Sequence, residues 1–236
     1  MRTIVFCCTV IFLVFLTLRV LAEERGAKAI FQSGEGPTVM ASSSETKSAV
    51  TSKKVALTKP TVEKYMGISY WIELVNGTGQ TSRVTTANTF RSGDRIKLHI
   101  ETNQNGYLYV MNIGSTGQSH FLFPNSGVAN NYVTAWTPYQ IPYNTYMRFD
   151  ANPGEELLLV MLSPNPIRNM PSTPSINAPL NSQQTQQYTQ LAQAKGAKDI
   201  VLEDEPTGIN PAGYAVAPIS SLQSGMITLK IKLRHK

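Results

Sequence analysis

Cysteine is close to absent from this chain: its 236 residues include only Cys7 and Cys8. Both lie inside an apolar N-terminal run, so once that run is removed no disulfide, thiol nucleophile or cysteine metal site is left. Histidine is scarce too, with His99, His120 and His235 making three. None sits in a recognisable motif, and a serine hydrolase needs a histidine beside its nucleophile and a third group to orient it. Gly-x-Ser-x-Gly, a phosphate-cradling glycine-rich loop and His-Glu-x-x-His are all missing. Ser44-Glu45-Thr46-Lys47 fits the Ser-x-x-Lys pattern of penicillin-recognising enzymes, but no helix start or companion motif accompanies it. The acidic run Glu203-Asp204-Glu205 lacks the alternating spacing of a calcium loop and reads as a solvated turn before Pro206. No catalytic, cofactor or metal residue is expected, and the chain reads as non-enzymatic.

What is present falls into three unlike segments. Residues 1–22 read as a secretory signal peptide: Arg2, an apolar run from Ile4 to Leu18, then Val20-Leu21-Ala22, small enough for signal peptidase to cut after Ala22. A permanent membrane anchor is the competing reading, although the run falls short of the ~20 apolar residues that span a bilayer. Residues 23–64 are rich in Ser, Thr, Ala, Gly and Lys and are expected to be a flexible linker. The formal charge of +6 divides accordingly. The signal carries two basic groups and no acid, while the linker and the remainder carry +2 each. Four of the remainder's basic residues, Lys230, Lys232, Arg234 and Lys236, stand at the end of the chain.

From Tyr65 onward short segments alternate apolar and polar residues between turn signals, the pattern of half-buried strands. Ile68, Tyr70, Ile72 and Leu74 share one face; Ile96, Leu98 and Ile100 alternate with Arg95, Lys97, His99 and Glu101. Tyr107–Ile113 is a nearly continuous apolar run suited to a central strand, returning through Gly114-Ser115-Thr116-Gly117 into Ser119–Phe123. Tyr146–Asp150 is expected to pair with Glu156–Leu162 across Asn152-Pro153-Gly154. The last strand, from Met226 to Leu233, is expected to complete the sheet begun near Tyr70. Between Pro164 and Lys198, five prolines precede a Gln-rich stretch from Asn181 to Lys195. This reads as an amphipathic helix capped at Asn181 or Ser182, ended by Gly196 and packed over an edge or open end of the sheets. A glutamine-rich disordered insertion is the alternative. The fold class is therefore mainly β: one antiparallel β-sandwich over 65–236, Ig-like or jelly-roll-like, with one inserted Gln-rich helix.

Two stretches are candidate binding surfaces. Tyr132, Trp136, Tyr139, Tyr143 and Tyr146, broken by Pro138 and Pro142, are either exposed platforms for a sugar ring or partner backbone, or the apolar plug of a sandwich end. The basic terminal strand either meets anionic envelope polymers or protects an edge from aggregation. Nucleic acid is not an expected partner, because the aromatics are not interleaved with a basic patch.

Several ordered motifs carry a resemblance. Phe90-Arg91-Ser92-Gly93-Asp94, Gly106-Tyr107-Leu108-Tyr109-Val110, Gly117, Leu122-Phe123-Pro124-Asn125, Ile141-Pro142 and Pro153-Gly154-Glu155-Glu156 follow one another over about residues 71–163. Together they resemble the bacterial family called domain of unknown function 4384. The resemblance implies a bacterial, exported or envelope-facing protein and an accessory module, and it brings no catalytic residue. The expected partner is another envelope protein, with peptidoglycan or polysaccharide as the alternative ligand. Membrane contact is expected only through an uncleaved signal.

Overall fold

The computed structural model describes residues 26–36, 62–75, 78–124, 130–170, 178–205, 210–222 and 225–236. The signal peptide, the Ser44–Lys47 motif and most of the linker lie outside the described residues.

The chain is mainly β, with two stacked sheets, and the alternation of side chains explains why. One sheet has the order β11 (Val201–Glu205), β12 (Ala212–Pro218), β1 (Tyr65–Val75), β4 (Arg95–Thr102) and β8 (Tyr139–Ile141). Onto it are added β2 (Thr81–Val84), paired with β1, and β9 (Met147–Arg148), paired with β4. The other sheet runs β3 (Thr89–Phe90), β13 (Ile227–His235), β10 (Gly154–Ser163), β5 (Gly106–Ile113) and β6 (Ser119–Phe123), with β7 (Tyr132–Val133) on β5. Among these strands pairing is antiparallel except for the short β3–β13 contact. Ile68 and Ile72 of β1, Leu98 and Ile100 of β4, Val110 of β5, Val160 of β10 and Ile231 of β13 meet in one buried core between the sheets. Gly213 in β12 is required by this packing: a Cβ there would lie 2.2 Å from the Tyr70 ring.

The Gln-rich helix is present as α2 (Ser182–Lys195), capped by Asn181, whose side chain accepts from the Gln184 N–H while Gln184 returns a bond to the Asn181 N–H. It does not sit over an edge or an open end. Ala192, Tyr188 and Leu191 pack with Tyr109, Met111, Phe121, Leu159 and Met161, covering the outer face of the second sheet. Strands β5 and β10 are apolar on both faces, and the outward set needs this cover.

Three other expectations are corrected. The terminal strand β13 does not complete the sheet of Tyr70. It pairs along its whole length with β10, from Ile227↔Leu162 to His235↔Gly154. Alternation fixes which face of a strand is buried, not which neighbour it takes, and β1 already has β12 and β2 on one side and β4 on the other. Residues 146–150 and 156–162 form no hairpin: β9 pairs with β4, and the chain then crosses to the other sheet. Phe149 draws it inward, buried and stacked on Phe90 with centroids 4.7 Å apart. Finally, part of the expected linker is ordered structure. Ala27–Ser33 forms α1, whose Ala27, Ile30 and Phe31 are buried against Val216, Tyr65 and Tyr214 on the outer face of the first sheet. Seven residues are too few for a stable isolated helix, so docking supplies its stability. Gly67 makes the room: a Cβ there would meet Phe31 at 2.9 Å and Val216 at 2.7 Å.

Candidate functional site

The five aromatic candidates divide between two ends of β4. The segment leaves the second sheet at β7, crosses to the first beside Thr102, and then runs back along the edge of β4 to Arg95. At the Thr102 end the Trp136 N–H donates to the Thr102 carbonyl at 2.7 Å and the Ala135 N–H to Asn105 Oδ1 at 2.8 Å. Trp136 has a φ of 60°, a region that bulky side chains rarely occupy, yet its ring is 52% exposed. One edge contact holds the ring, a T-shaped approach to Phe31 at 5.3 Å. Tyr132 is exposed beside Tyr107, whereas Tyr139 is half-buried against Phe123, its hydroxyl accepting from the Thr134 N–H. Tyr146 is exposed beside β9 at the Arg95 end, about 20 Å away at ~3.3 Å per residue along β4, and Tyr143 is exposed in the turn between β8 and β9. The five residues therefore do not form one platform.

A second set of groups occupies the outer face of the first sheet, away from α1. Trp71 stacks on its cross-strand neighbour His99 with centroids 4.9 Å apart, and the Arg83 guanidinium lies 4.3 Å from its ring centre. His99 Nε2 bonds Glu73 Oε2 at 2.9 Å. Farther along the same face, Arg95 and Lys97 both lie over the Tyr146 ring, at 5.3 and 4.5 Å. Arg83, Trp71 and this basic group were not singled out from the sequence. The signal was present: if Ile68, Tyr70, Ile72 and Leu74 face inward, Trp71 and Glu73 face outward beside the polar row of Arg95, Lys97 and His99.

The third feature is a groove on one side of the sandwich. There β1 changes neighbours, from Gly213 of β12 opposite Tyr70 to Val84 of β2 opposite Ile72, and a notch opens between them. A cavity of about 200 Å³ fills the notch, lined by Tyr70, Trp71, Thr86 and Asp204. It adjoins a hollow of about 360 Å³ between the free edge of β11 and the part of β13 that the short β3 leaves uncovered, walled by Leu202 on one side and Lys230, Lys232 and Arg234 on the other. The acidic run is thus no solvated turn. It forms β11, with Glu205 paired to Lys28 of α1 at 2.8 Å, Glu203 accepting the Lys28 N–H and Asp204 accepting from the Tyr70 hydroxyl at 3.1 Å. Burial, reinforced by the Asp204 charge and this hydrogen bond, pushes the Tyr70 hydroxyl far above its ordinary range.

The histidines occupy separate places. His99 belongs to the Trp71 stack. His120 lines a hollow of about 410 Å³ with Asn112, Tyr146 and Arg148, and burial lowers its pKa against the opposing pull of Glu156. His235 is buried, with Nε2 3.1 Å from the Ser92 hydroxyl, but its Nδ1 has no partner among the described residues, so no third group orients the ring. Among the described residues no three of His, Cys, Asp and Glu come together as metal ligands, and no helix is long and apolar enough to cross a membrane.

Comparison with known proteins adds one match. Residues 89–166 fit the family model described as domain of unknown function (DUF4384), a stretch that runs from β3 through β10. No curated protein and no solved structure matches the chain. The match begins later than the Trp71 expected from the motifs, because β1 and β2 lie ahead of it, and it ends at Pro166 just past β10. Its ordered motifs, from Phe90 to Glu156, are the turns and buried strand ends that hold the middle of both sheets, and it is this middle stretch, residues 89–166, that is similar to the DUF4384 family.

Proposed function

We propose that this chain is a non-enzymatic, exported accessory protein of the bacterial cell envelope whose sandwich binds another envelope protein. The observation that carries the reading is the free edge of β11 beside the basic residues of β13. β11 pairs with β12 alone among the described residues, and its Leu202 is 61% exposed beside an exposed Val201. An open edge with exposed apolar side chains favours addition of an extended strand from a partner, with backbone hydrogen bonds giving affinity and the neighbouring hollow giving selectivity. The export half of the reading rests on residues 1–22, and mass spectrometry of the mature protein is expected to show a chain starting at Glu23. For the binding half, a photocrosslinking residue at Leu202 is expected to give one discrete adduct in envelope preparations, with an outward site such as Gln140 as control. Equal labelling at both sites would sink the reading.

A glycan-binding module is the second reading, and Trp136 favours it. A strained backbone and a half-exposed ring both work against stability, by ~1–3 kcal/mol for the backbone alone, so a ligand is a better reason for them than the fold. Retention on insoluble peptidoglycan that disappears in Trp136→Ala would move the choice to this reading.

A further inference from the structure

Arg95 and Arg148 are directly opposite each other in the β4–β9 ladder. Like charges in that position repel, and folded proteins ordinarily relieve them with a carboxylate. Among the described residues neither arginine has an ion-pair partner: the pairs there are Lys28–Glu205, His99–Glu73 and Lys232–Glu155, and Glu156, which lines a small cavity with Arg148, accepts from the Asn112 amide and the Ser115 N–H instead. The carboxylates nearest along the chain are occupied elsewhere. Asp94 accepts from the Arg91 N–H, and Asp150 accepts from the backbone and side chain of Asn152. Glu73, cross-strand from Lys97, is turned to His99. Arg95 and Lys97 instead share the ring of Tyr146, whose π face gathers the cations without neutralising them.

We propose that Arg95, Lys97 and Arg148 form a binding site for a carboxylate-bearing polysaccharide, with the exposed Tyr143, in the turn that joins β8 to β9, as the surface for a sugar ring. Three features favour this ligand. Two arginines on neighbouring strands present planar donor forks that match carboxylates in pairs. Lys97 continues the row two residues along β4, so the charge is spread in a line, which fits a repeating polymer better than a single ion. Tyr143 is 47% exposed in the turn before Tyr146 and offers area at small entropic loss. The site lies at the opposite end of β4 from Trp136 and on a different part of the molecule from the β11 edge, so it does not rest on either reading above.

The test is calorimetric titration of the full chain with oligogalacturonate, alongside neutral maltooligosaccharide, inorganic polyphosphate and anionic phospholipid vesicles. Binding of oligogalacturonate is expected, weakening as salt rises, with at least tenfold weaker binding by Arg95→Glu and several-fold weaker binding by Tyr143→Ala. Arg95→Glu places an acid opposite Arg148, so its Tm is expected to rise while binding falls, which separates loss of the site from loss of the fold. Arg148→Gln, folded by circular dichroism, is expected to lose binding as well. The proposal is overturned by absence of oligogalacturonate binding, or by equal binding of the neutral sugar. Polyphosphate or vesicles binding as tightly with no effect of Tyr143→Ala would overturn it too. So would an Arg95→Glu variant that binds normally or melts at a lower temperature.

Discussion

His120 shows how one side chain reports the packing around it. It stands in β6 and lines the hollow shared with Arg148, where loss of water outweighs the nearby Glu156 charge and holds its pKa below 6.5. The unfolded chain titrates near 6.5, so on acidification it takes the proton before the native state does. Stability is therefore full above that value and declines as pH falls below it toward the native pKa. The expected result is a Tm that is flat between about pH 7 and 8 and falls below about 6.5, with a shallower fall in His120→Gln. An identical slope in both proteins would remove His120 as the cause. Trp136 is the complementary case at this scale. Its aromatic character in a proline-broken loop is read from the sequence, but its backbone is held by Thr102 and Asn105 on a neighbouring strand end, and its ring contact, Phe31, is more than a hundred positions away. Nothing local encodes them.

At the scale of elements, the strands were legible and their neighbours were not. The inward set of Ile227, Leu229, Ile231 and Leu233 is read directly from alternation, and all are buried. That β13 lies against β10 follows from which edges the rest of the fold leaves open, a non-local matter. α2 was legible through Asn181 and Gln184, which satisfy the first turn by themselves. α1 was not, because a serine- and lysine-rich surrounding hides the spacing of Ala27, Ile30 and Phe31, one face of a short helix. Its attachment depends on Asn103, buried at the end of β4. The Asn103 amide donates to the Phe31 carbonyl at 3.1 Å and the Tyr65 carbonyl at 3.3 Å, and its oxygen accepts the Gly67 N–H at 2.7 Å. Asn103→Ala leaves these backbone groups without that partner, at ~1–3 kcal/mol for each buried group left unpaired. Chemical denaturation is expected to show a loss of about 3 kcal/mol or more, and limited proteolysis a new cut near α1. A loss below about 0.5 kcal/mol would mean that Phe31 alone secures the helix.

On the scale of the whole molecule, the family segment and the folding unit have different limits. Residues 89–166 hold β3 to β10, yet the longest ladders of both sheets pair strands inside that segment with strands outside it. β4 is paired with β1 from Thr102↔Ile68 to Arg95↔Val75, and β10 with β13 from Gly154↔His235 to Leu162↔Ile227. The two outside strands also bring Met66, Ile68, Tyr70, Ile72, Ile227, Leu229, Ile231 and Leu233 into the core. At ~1.5–3 kcal/mol for each buried side chain, their contribution exceeds the ~5–15 kcal/mol net stability of a typical domain. Without them Leu98 and Ile100 of β4 and Leu158 and Val160 of β10 lose cover, and two long apolar edges are left open to other chains. A protein comprising residues 89–166 alone is thus expected to lack a cooperative thermal transition, to bind a hydrophobic dye and to aggregate. The chain from residue 26 to 236 is expected to melt in a single transition. A dispersed amide NMR spectrum from 89–166 alone would show that the middle strands find partners of their own and would overturn the single-sandwich account of the fold.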